Sequence, residues 1–324
     1  MTPDRSKTLA EFGEFSLIAA ITADLALGDD VRVGPGDDAA VLSLDGDLVS
    51  SLDVLVEGVH FRRVWSEAGD VGRKAVVVNV SDIEAMGARA TGVLVGFSAP
   101  DDLPVGWVLD FAAGVQAECS AAGVTLLGGD VTKARDITIA VTAVGVLDGR
   151  APVLRSGARV GDLVAVHGRL GWAAAGLAVL SRGFRSPRAV VEAQRVPHVD
   201  YGAGAVAARA GASAMIDVSD GLLADLGHVA KASGVSIDLA QDALEVAEPL
   251  RVVAVATGKD PYVMILTGGE DHALAATFPA TATIPGGWTV IGTVAAAPDP
   301  AAPVLVDGAV WESPAGYDHF RNRR

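Results

Sequence analysis

Apolar residues along the chain fall into two kinds of run. The stretches 47–55, 91–97, 123–127, 137–147 and 163–167 read as strands, and 74–86, 105–122 and 172–180 read as helices. Near the start, Phe15, Ile18, Ala19 and Leu25 fall near one helical face, predicting a helix over 12–25 that ends before Gly28. Strand and helix pairs recur around 215–232, and the apolar run 262–266 reads as one more strand. The order is mixed α and β in both halves, an α/β (α+β) class. The segment 149–161, GRAPVLRSGARVG, is rich in Gly, Pro and Arg and suits a connector, so domains are expected over 1–149 and 150–324. No exact repeat is visible.

Length agrees with two domains, since 324 residues exceed what one typical core supports. Lys and Arg number 25 against 40 Asp and Glu, a net charge of −15 that repels nucleic acid and anionic membrane surfaces. The same field repels a phosphorylated metabolite unless divalent cations stand between carboxylate and phosphate. The single cysteine, Cys119, sits in an apolar helical stretch and reads as a buried thiol. Acids at Glu11, Glu14 and Asp24 argue against a signal peptide, and the longest apolar runs fall short of a bilayer span. The expectation is a cytoplasmic protein with neither nucleic acid nor membrane as partner.

Several familiar chemistries lack their residues. There is no G-x-x-x-x-G-K-[ST] loop, no kinase-type H-R-D or D-F-G, no G-x-S-x-G elbow and no H-E-x-x-H. The string at 34–39 matches G-x-G-x-x-A, yet it precedes the clearest strand and sets Asp37 and Asp38 where a pyrophosphate would sit, which rejects a dinucleotide site. What stands out is a series of aspartates at turn or strand-end positions: Asp37 and Asp38; Asp53 after Ser51; Asp82 after Asn79 and Ser81; Asp130 after Gly128 and Gly129; Asp217 with Asp220. Mg²⁺ takes oxygen ligands, a few of them carboxylates, and completes its shell with water and substrate phosphates.

Each cluster also has a bland reading. Asp37 and Asp38 suit an ordinary turn, Asn79 and Asp82 a solvated helix face, and Gly128-Gly129-Asp130 a turn after a strand. Ser219 could cap a helix, with Asp220 favouring its first-turn dipole; that leaves Asp217 unexplained, and Asp53 is out of place in a strand-like run. Gly268-Gly269-Glu270-Asp271 again puts acids after an apolar stretch. Among other polar residues, His60 and Arg155 are of most interest, against the alternatives of a structural histidine and a surface charge.

Taken jointly, the strings GEFSLI (13–18), GDDAAVL (36–42), SLDVLVEGVHF (51–61), VNVSDIEAMGA (78–88), GGDVT (128–132), LRSGA (154–158), DVSDGL (217–222), GGED (268–271) and GYDHF (316–320) resemble the thiamine-monophosphate kinase family of the PurM-like superfamily, nearly end to end. That resemblance implies ATP-dependent phosphorylation of thiamine monophosphate to thiamine diphosphate, the last step of thiamine diphosphate biosynthesis. It implies an N-terminal α/β domain, 1–149, that binds ATP and Mg²⁺ and dimerises through its sheet, a C-terminal α/β domain, 150–324, and several Mg²⁺ ions per site. By the same resemblance metal binding falls on Asp38, Ser51, Leu52, Asp53, Asp82, Asp130, Asp217 and Asp220. ATP contacts fall on Gly129, Asp130, Arg155 and Ser219, and thiamine phosphate contacts on His60, Glu270 and Tyr317. Asp53, Asp130 and Arg155 are the expected catalytic set.

Two positions depart from the family's common pattern. Leu52 stands where Thr is usual, so only its carbonyl could meet a metal, and His272 stands where Tyr usually follows GGED. The competing readings are a sister enzyme of the aminoimidazole ribonucleotide synthetase kind and a non-catalytic nucleotide-binding module. A selenophosphate synthetase or hydrogenase factor would be expected to carry a reactive cysteine near one end of the chain, where this one has none.

Overall fold

A computed structural model describes residues 3–23, 25–36, 38–296 and 303–317, so Asp37 and 318–320 of the GYDHF string lie outside the described residues. The chain divides into two compact units, Met1–Ile83 with Arg89–Arg150, and Glu84–Ala88 with Ala151–Arg324.

The first unit begins with α1 (Leu9–Phe12) and α2 (Glu14–Thr22). The single helix expected over 12–25 is broken by Gly13, which sits at φ +83. Thr8 and Glu11 form a capping box at the start of α1, a T-x-x-E pattern present in the sequence. A small hairpin, β1 (Val31–Val33) with β2 (Val41–Leu42), follows. Contrary to the sequence reading, a strand thus does precede 34–39, but no helix follows it, so the dinucleotide site stays rejected.

The main sheet of this unit holds β3 (Leu48–Val56), β4 (Arg89–Ala99), β5 (Thr125–Lys133) and β6 (Thr138–Val146), in the order β3-β6-β4-β5. β4 and β5 are parallel and the other pairs antiparallel. Against one face lie α3 (Ala68–Ala85) and α4 (Val105–Ala122). α3 is buried almost all round, and the two helices touch backbone to backbone: a Cβ on Gly72 would lie 2.1 Å from the Phe111 carbonyl oxygen, and one on Gly114 2.1 Å from that of Gly69. The other face bears exposed Leu48, Leu52, Val54 and Leu94.

The second unit is built on a larger sheet of β7 (Leu163–His167), β8 (Ala214–Val218), β9 (Val235–Leu239), β10 (Ala273–Phe278), β11 (Trp288–Ala296), β12 (Val304–Val306) and β13 (Ala309–Val310), in the order β13-β12-β9-β11-β7-β10-β8. Its helices are α5 (Trp172–Leu180), α6 (Arg188–Arg195), α7 (Ala203–Arg209), α8 (Leu222–Ser233), α9 (Glu248–Thr257) and α10 (Pro261–Thr267). Residues 262–266, expected as a strand, are helical: Asp260 caps α10 through Tyr262 N and Pro261 opens it, two helix-start signals that outweigh a short apolar run. A core of Val153, Met215, Leu274, Phe278 and Trp288 anchors the sheet, and Phe278 alone, fully buried, contributes about 2–3 kcal/mol of apolar transfer.

Candidate active site

Strand alternation decides which side chains of β3 meet α3. Leu48, Leu52 and Val54 face outward, so Ser51 and Asp53 point to the helix side, where α3 presents Asn79 and Asp82 one turn apart. Ser51 Oγ donates to Asp82 Oδ2 at 2.6 Å, and Asp53 N donates to Asn79 Oδ1 at 2.9 Å. Asn79 is completely buried and its Nδ2 donates to Ala75 O at 2.8 Å, so it rivets strand to helix instead of lying on a solvated face. Ser51, Asp53 and Asp82 thus form one oxygen-rich group. Leu52 turns its side chain to the open face, 57% exposed.

His60 follows β3. Its Nδ1 accepts from Val56 N at 3.0 Å, which places the neutral ring's proton on Nε2. Beneath it Lys74, only 1% exposed, donates from Nζ to the His60 carbonyl at 3.2 Å. The sequence reading passed over Lys74; the available signal was a lysine set inside the apolar face of a helix.

Gly128, Gly129 and Asp130 belong to β5 itself, not to a turn after it, because pairing with β4 resumes after a register shift and continues to Lys133. A Cβ on Gly129 would lie 2.0 Å from Val95 O, so only glycine permits this approach. Asp130, Gly129 and Asp38 line one cavity of about 710 Å³ whose walls are apolar, with Phe15 and Ile18 from α2 and Phe111 and Val115 from α4. Asp130 pairs with Gly96, Gly96 with Ala140 and Ala140 with Val54, which puts Asp130 in the outward row while Asp53 points to the helices. β3 and β5 are the two outer strands, about 14 Å apart at ordinary strand spacing. The structure therefore does not bring Asp53 and Asp130 of one chain together.

In the second unit Asp217 is the last residue but one of the edge strand β8, and the loop after the strand carries Ser219 and Asp220. Ser219 does not cap α8, whose N-cap is Gly221 at φ +133, a position closed to other residues by Thr267 backbone 2.9 Å from a Cβ. The capping is done from within the helix by Asp225, whose Oδ2 accepts from Asp220 N and Gly221 N, both at 3.0 Å. Burial, and next the charge of Asp217, push the Asp225 carboxyl up to about 7 against the pull of those two amides.

The 268–272 turn is tied to the same loop. Glu270 N donates to Ser219 O at 2.7 Å, His272 N to Val218 O at 2.9 Å, and Tyr317 N to Asp220 O at 2.9 Å, so Glu270 and Tyr317 are brought beside Ser219 and Asp220. Glu270 and His272 take left-handed backbone angles, φ +70 and +53, on either side of Asp271. The Asp271 side chain is buried and accepts from Gly171 N at 2.5 Å and Ala173 N at 2.8 Å at the start of α5. Its burial lifts the carboxyl to about 7, those amides opposing. Arg155 is not near this group: its carbonyl accepts from Ser233 Oγ at 2.9 Å, at the far end of α8, about 18 Å from the Asp220 end.

Comparison with known proteins gives these groupings a context. Residues 36–147 match the AIR synthase related protein N-terminal domain and residues 159–304 its C-terminal domain. A thiamine-monophosphate kinase of Mycobacterium tuberculosis is 48% identical over 317 residues, 97% of this chain and 94% of that protein. The chain belongs to the thiamine-monophosphate kinase family. Among solved structures, the thiamine-monophosphate kinase from Stenotrophomonas maltophilia K279a superposes with a TM-score of 0.78 at 33% identity, over 94% of this chain and 99% of that one. AaThiL complexed with AMPPCP and TMP superposes at 0.77 with 34% identity, over 97% and 99%. The PurM-like, two-domain α/β class expected from the resemblance is therefore the class of this thiamine-monophosphate kinase family member.

Proposed function

We propose that this chain transfers the γ-phosphoryl group of ATP to thiamine monophosphate, giving thiamine diphosphate. The observation that carries the reading is its 48% identity with a thiamine-monophosphate kinase over 97% of the chain, and AaThiL, similar along 97% of this chain, was solved with AMPPCP and TMP. Magnesium as cofactor, a homodimer and a cytoplasmic location are parts of this proposal; no helix among the described residues is long and apolar enough to cross a membrane.

The donor chemistry fits Mg²⁺. Ser51, Asp53 and Asp82, Asp38 with Asp130, and Asp217 with Asp220 offer hard oxygens only. Among the described residues no three His, Cys, Asp or Glu side chains are grouped as a ready metal cage. Mg²⁺ is commonly held by one or two carboxylates and takes its remaining ligands from water and phosphate. Bound there, Mg²⁺ would supply neutralisation of the phosphate charges in a chain of net charge −15.

The acceptor is itself a phosphate, mostly ionised at neutral pH because its second pKa is about 6, so no general base is needed and placement carries the catalysis. The Nε2–H of His60 can donate to an acceptor oxygen, since Val56 occupies Nδ1. Glu270 and Tyr317 would bind thiamine, the Tyr317 ring facing its cationic thiazolium. The apolar cavity that Gly129 and Asp130 line has room for a nucleoside. Ser219 and Arg155 are proposed for different parts of ATP, and Asp53 and Asp130, kept apart within one chain, would share a catalytic site with Arg155 only across two copies of the chain.

The outward sheet face, with Leu48, Leu52, Val54 and Leu94 in the open, fits a second copy of the chain. Light scattering is expected to give a dimer that Leu52→Glu dissociates; a monomeric parent protein would reject this part. The reaction is tested by chromatography after mixing protein, ATP, Mg²⁺ and thiamine monophosphate, with free thiamine as a parallel acceptor. Thiamine diphosphate from the monophosphate alone is expected. Folded protein that binds ATP yet forms no product would favour a nucleotide-binding module.

A further inference from the structure

His272 has no assigned part in the reaction, yet its side chain is aimed at a residue that has one. Nδ1 lies 3.0 Å from Asp217 Oδ2, and both side chains are only 5% exposed. A carboxylate oxygen accepts and does not donate, so Nδ1 carries the proton of this bond. The ring cannot readily leave: its own backbone amide is held by Val218 O, its left-handed φ of +53 aims it inward, and the next turn residue, Asp271, is anchored in the α5 amides.

Such a donor bears on how the Asp217 carboxylate is held. Asp217 sits on an edge strand with Asp225 close enough to feel its charge, and Asp225 spends one oxygen on the amides of Asp220 and Gly221. An aspartate carboxylate beside a second acid has a broad terminal torsion. A donor fixed on Oδ2 narrows that torsion and so sets how the carboxylate is presented to a cation, the way outer hydrogen bonds orient metal ligands elsewhere.

We propose that His272 is a positioning residue that fixes the Asp217 carboxylate, through Nδ1–H to Oδ2, for a divalent cation. The inference rests on the reading of Asp217 as a metal ligand given above.

The test is Mn²⁺ binding to the full chain without nucleotide, followed by electron paramagnetic resonance, in the parent protein and in Asp217→Asn, His272→Phe and His272→Asn. Asp217→Asn is expected to lose a site. His272→Phe should weaken that site roughly tenfold, and His272→Asn, which keeps an N–H donor near the Nδ1 position, should restore it. The Mg²⁺ dependence of turnover should shift in step while KM for thiamine monophosphate stays constant. Normal Mn²⁺ binding by His272→Phe beside a defective Asp217→Asn overturns the proposal and leaves the metal reading standing. Equal loss in both His272 variants marks a packing role and also overturns it. Normal binding by Asp217→Asn removes the metal reading with it. Should His272→Phe not fold, ¹⁵N resonances of the parent protein decide: a protonated His272 Nδ1 that shifts on adding Mg²⁺ is expected, and an unprotonated one refutes the assignment.

Discussion

Asp271 makes stability depend on pH in a way that can be worked from its surroundings. Its carboxyl has a folded-state pKa of about 7 against 3.8 for an unperturbed aspartate, because burial disfavours the charge more than the α5 amides favour it. The folded-state pKa is raised, so between about pH 4 and 7 the native state holds a proton that the unfolded chain has released. Stability from this group is therefore fully present below about pH 4, falls as pH rises, and is flat again above about 7. About three units at 1.36 kcal/mol each amount to about 4 kcal/mol. The pull of the α5 amides is already contained in that pKa, so about 4 kcal/mol is the expected loss.

Asp271→Asn removes this titration. One side of the amide still accepts a backbone N–H, while its NH₂ faces the other amide and leaves that donor unpaired, costing about 1–3 kcal/mol. Relative to the parent, the variant should gain about 2–3 kcal/mol of stability between pH 5 and pH 8. Urea unfolding followed by tryptophan fluorescence at pH 5, 6, 7 and 8 measures this, provided the m-value is unchanged. Parallel stability–pH curves for the two proteins would refute the burial argument.

Three other perturbations have clear expected outcomes. Lys74→Met removes the donor under the His60 carbonyl and should raise KM for thiamine monophosphate by roughly tenfold, a loss of about 1.4 kcal/mol of binding, with KM for ATP unchanged; equal effects on both would dismiss the positioning role. Gly129→Ala drives a Cβ to 2.0 Å from Val95 O, so β5 must shift, costing about 1–3 kcal/mol by thermal unfolding and reducing ATP affinity. Cys119, its thiol pushed up to about 12 by burial and then by Glu118, should resist Ellman's reagent in the native protein and react once it is unfolded; rapid labelling of native protein would contradict its burial.

How much of this was legible in the residues varies from element to element. Helix 105–122 and strand 163–167 appear with the bounds their apolar spacing indicates, since long periodic runs leave little choice. The short run 262–266 does not, because five apolar residues suit strand and helix alike and the deciding signals, Asp260 and Pro261, stand before it. The groups Ser51/Asp53/Asp82 and Asp217/Ser219/Asp220 were visible as strings. That Asn79 is a rivet, that Asp225 does the capping expected of Ser219, and that Arg155 lies at the other end of α8 were not.

The order of residues by itself determined the family, the mixed α/β class and the oxygen-only chemistry of the aspartate clusters. Those features reside in spacing and residue type, which are local and survive without coordinates. Only the tertiary structure decided what each polar atom meets: which face of β3 carries Asp53, why Asp130 stands apart from it, how Lys74 sits under His60, and that His272 is turned onto Asp217. Such pairings depend on strand register, on left-handed turns and on exclusion of water by residues far apart in the chain, and none of these leaves a mark in spacing.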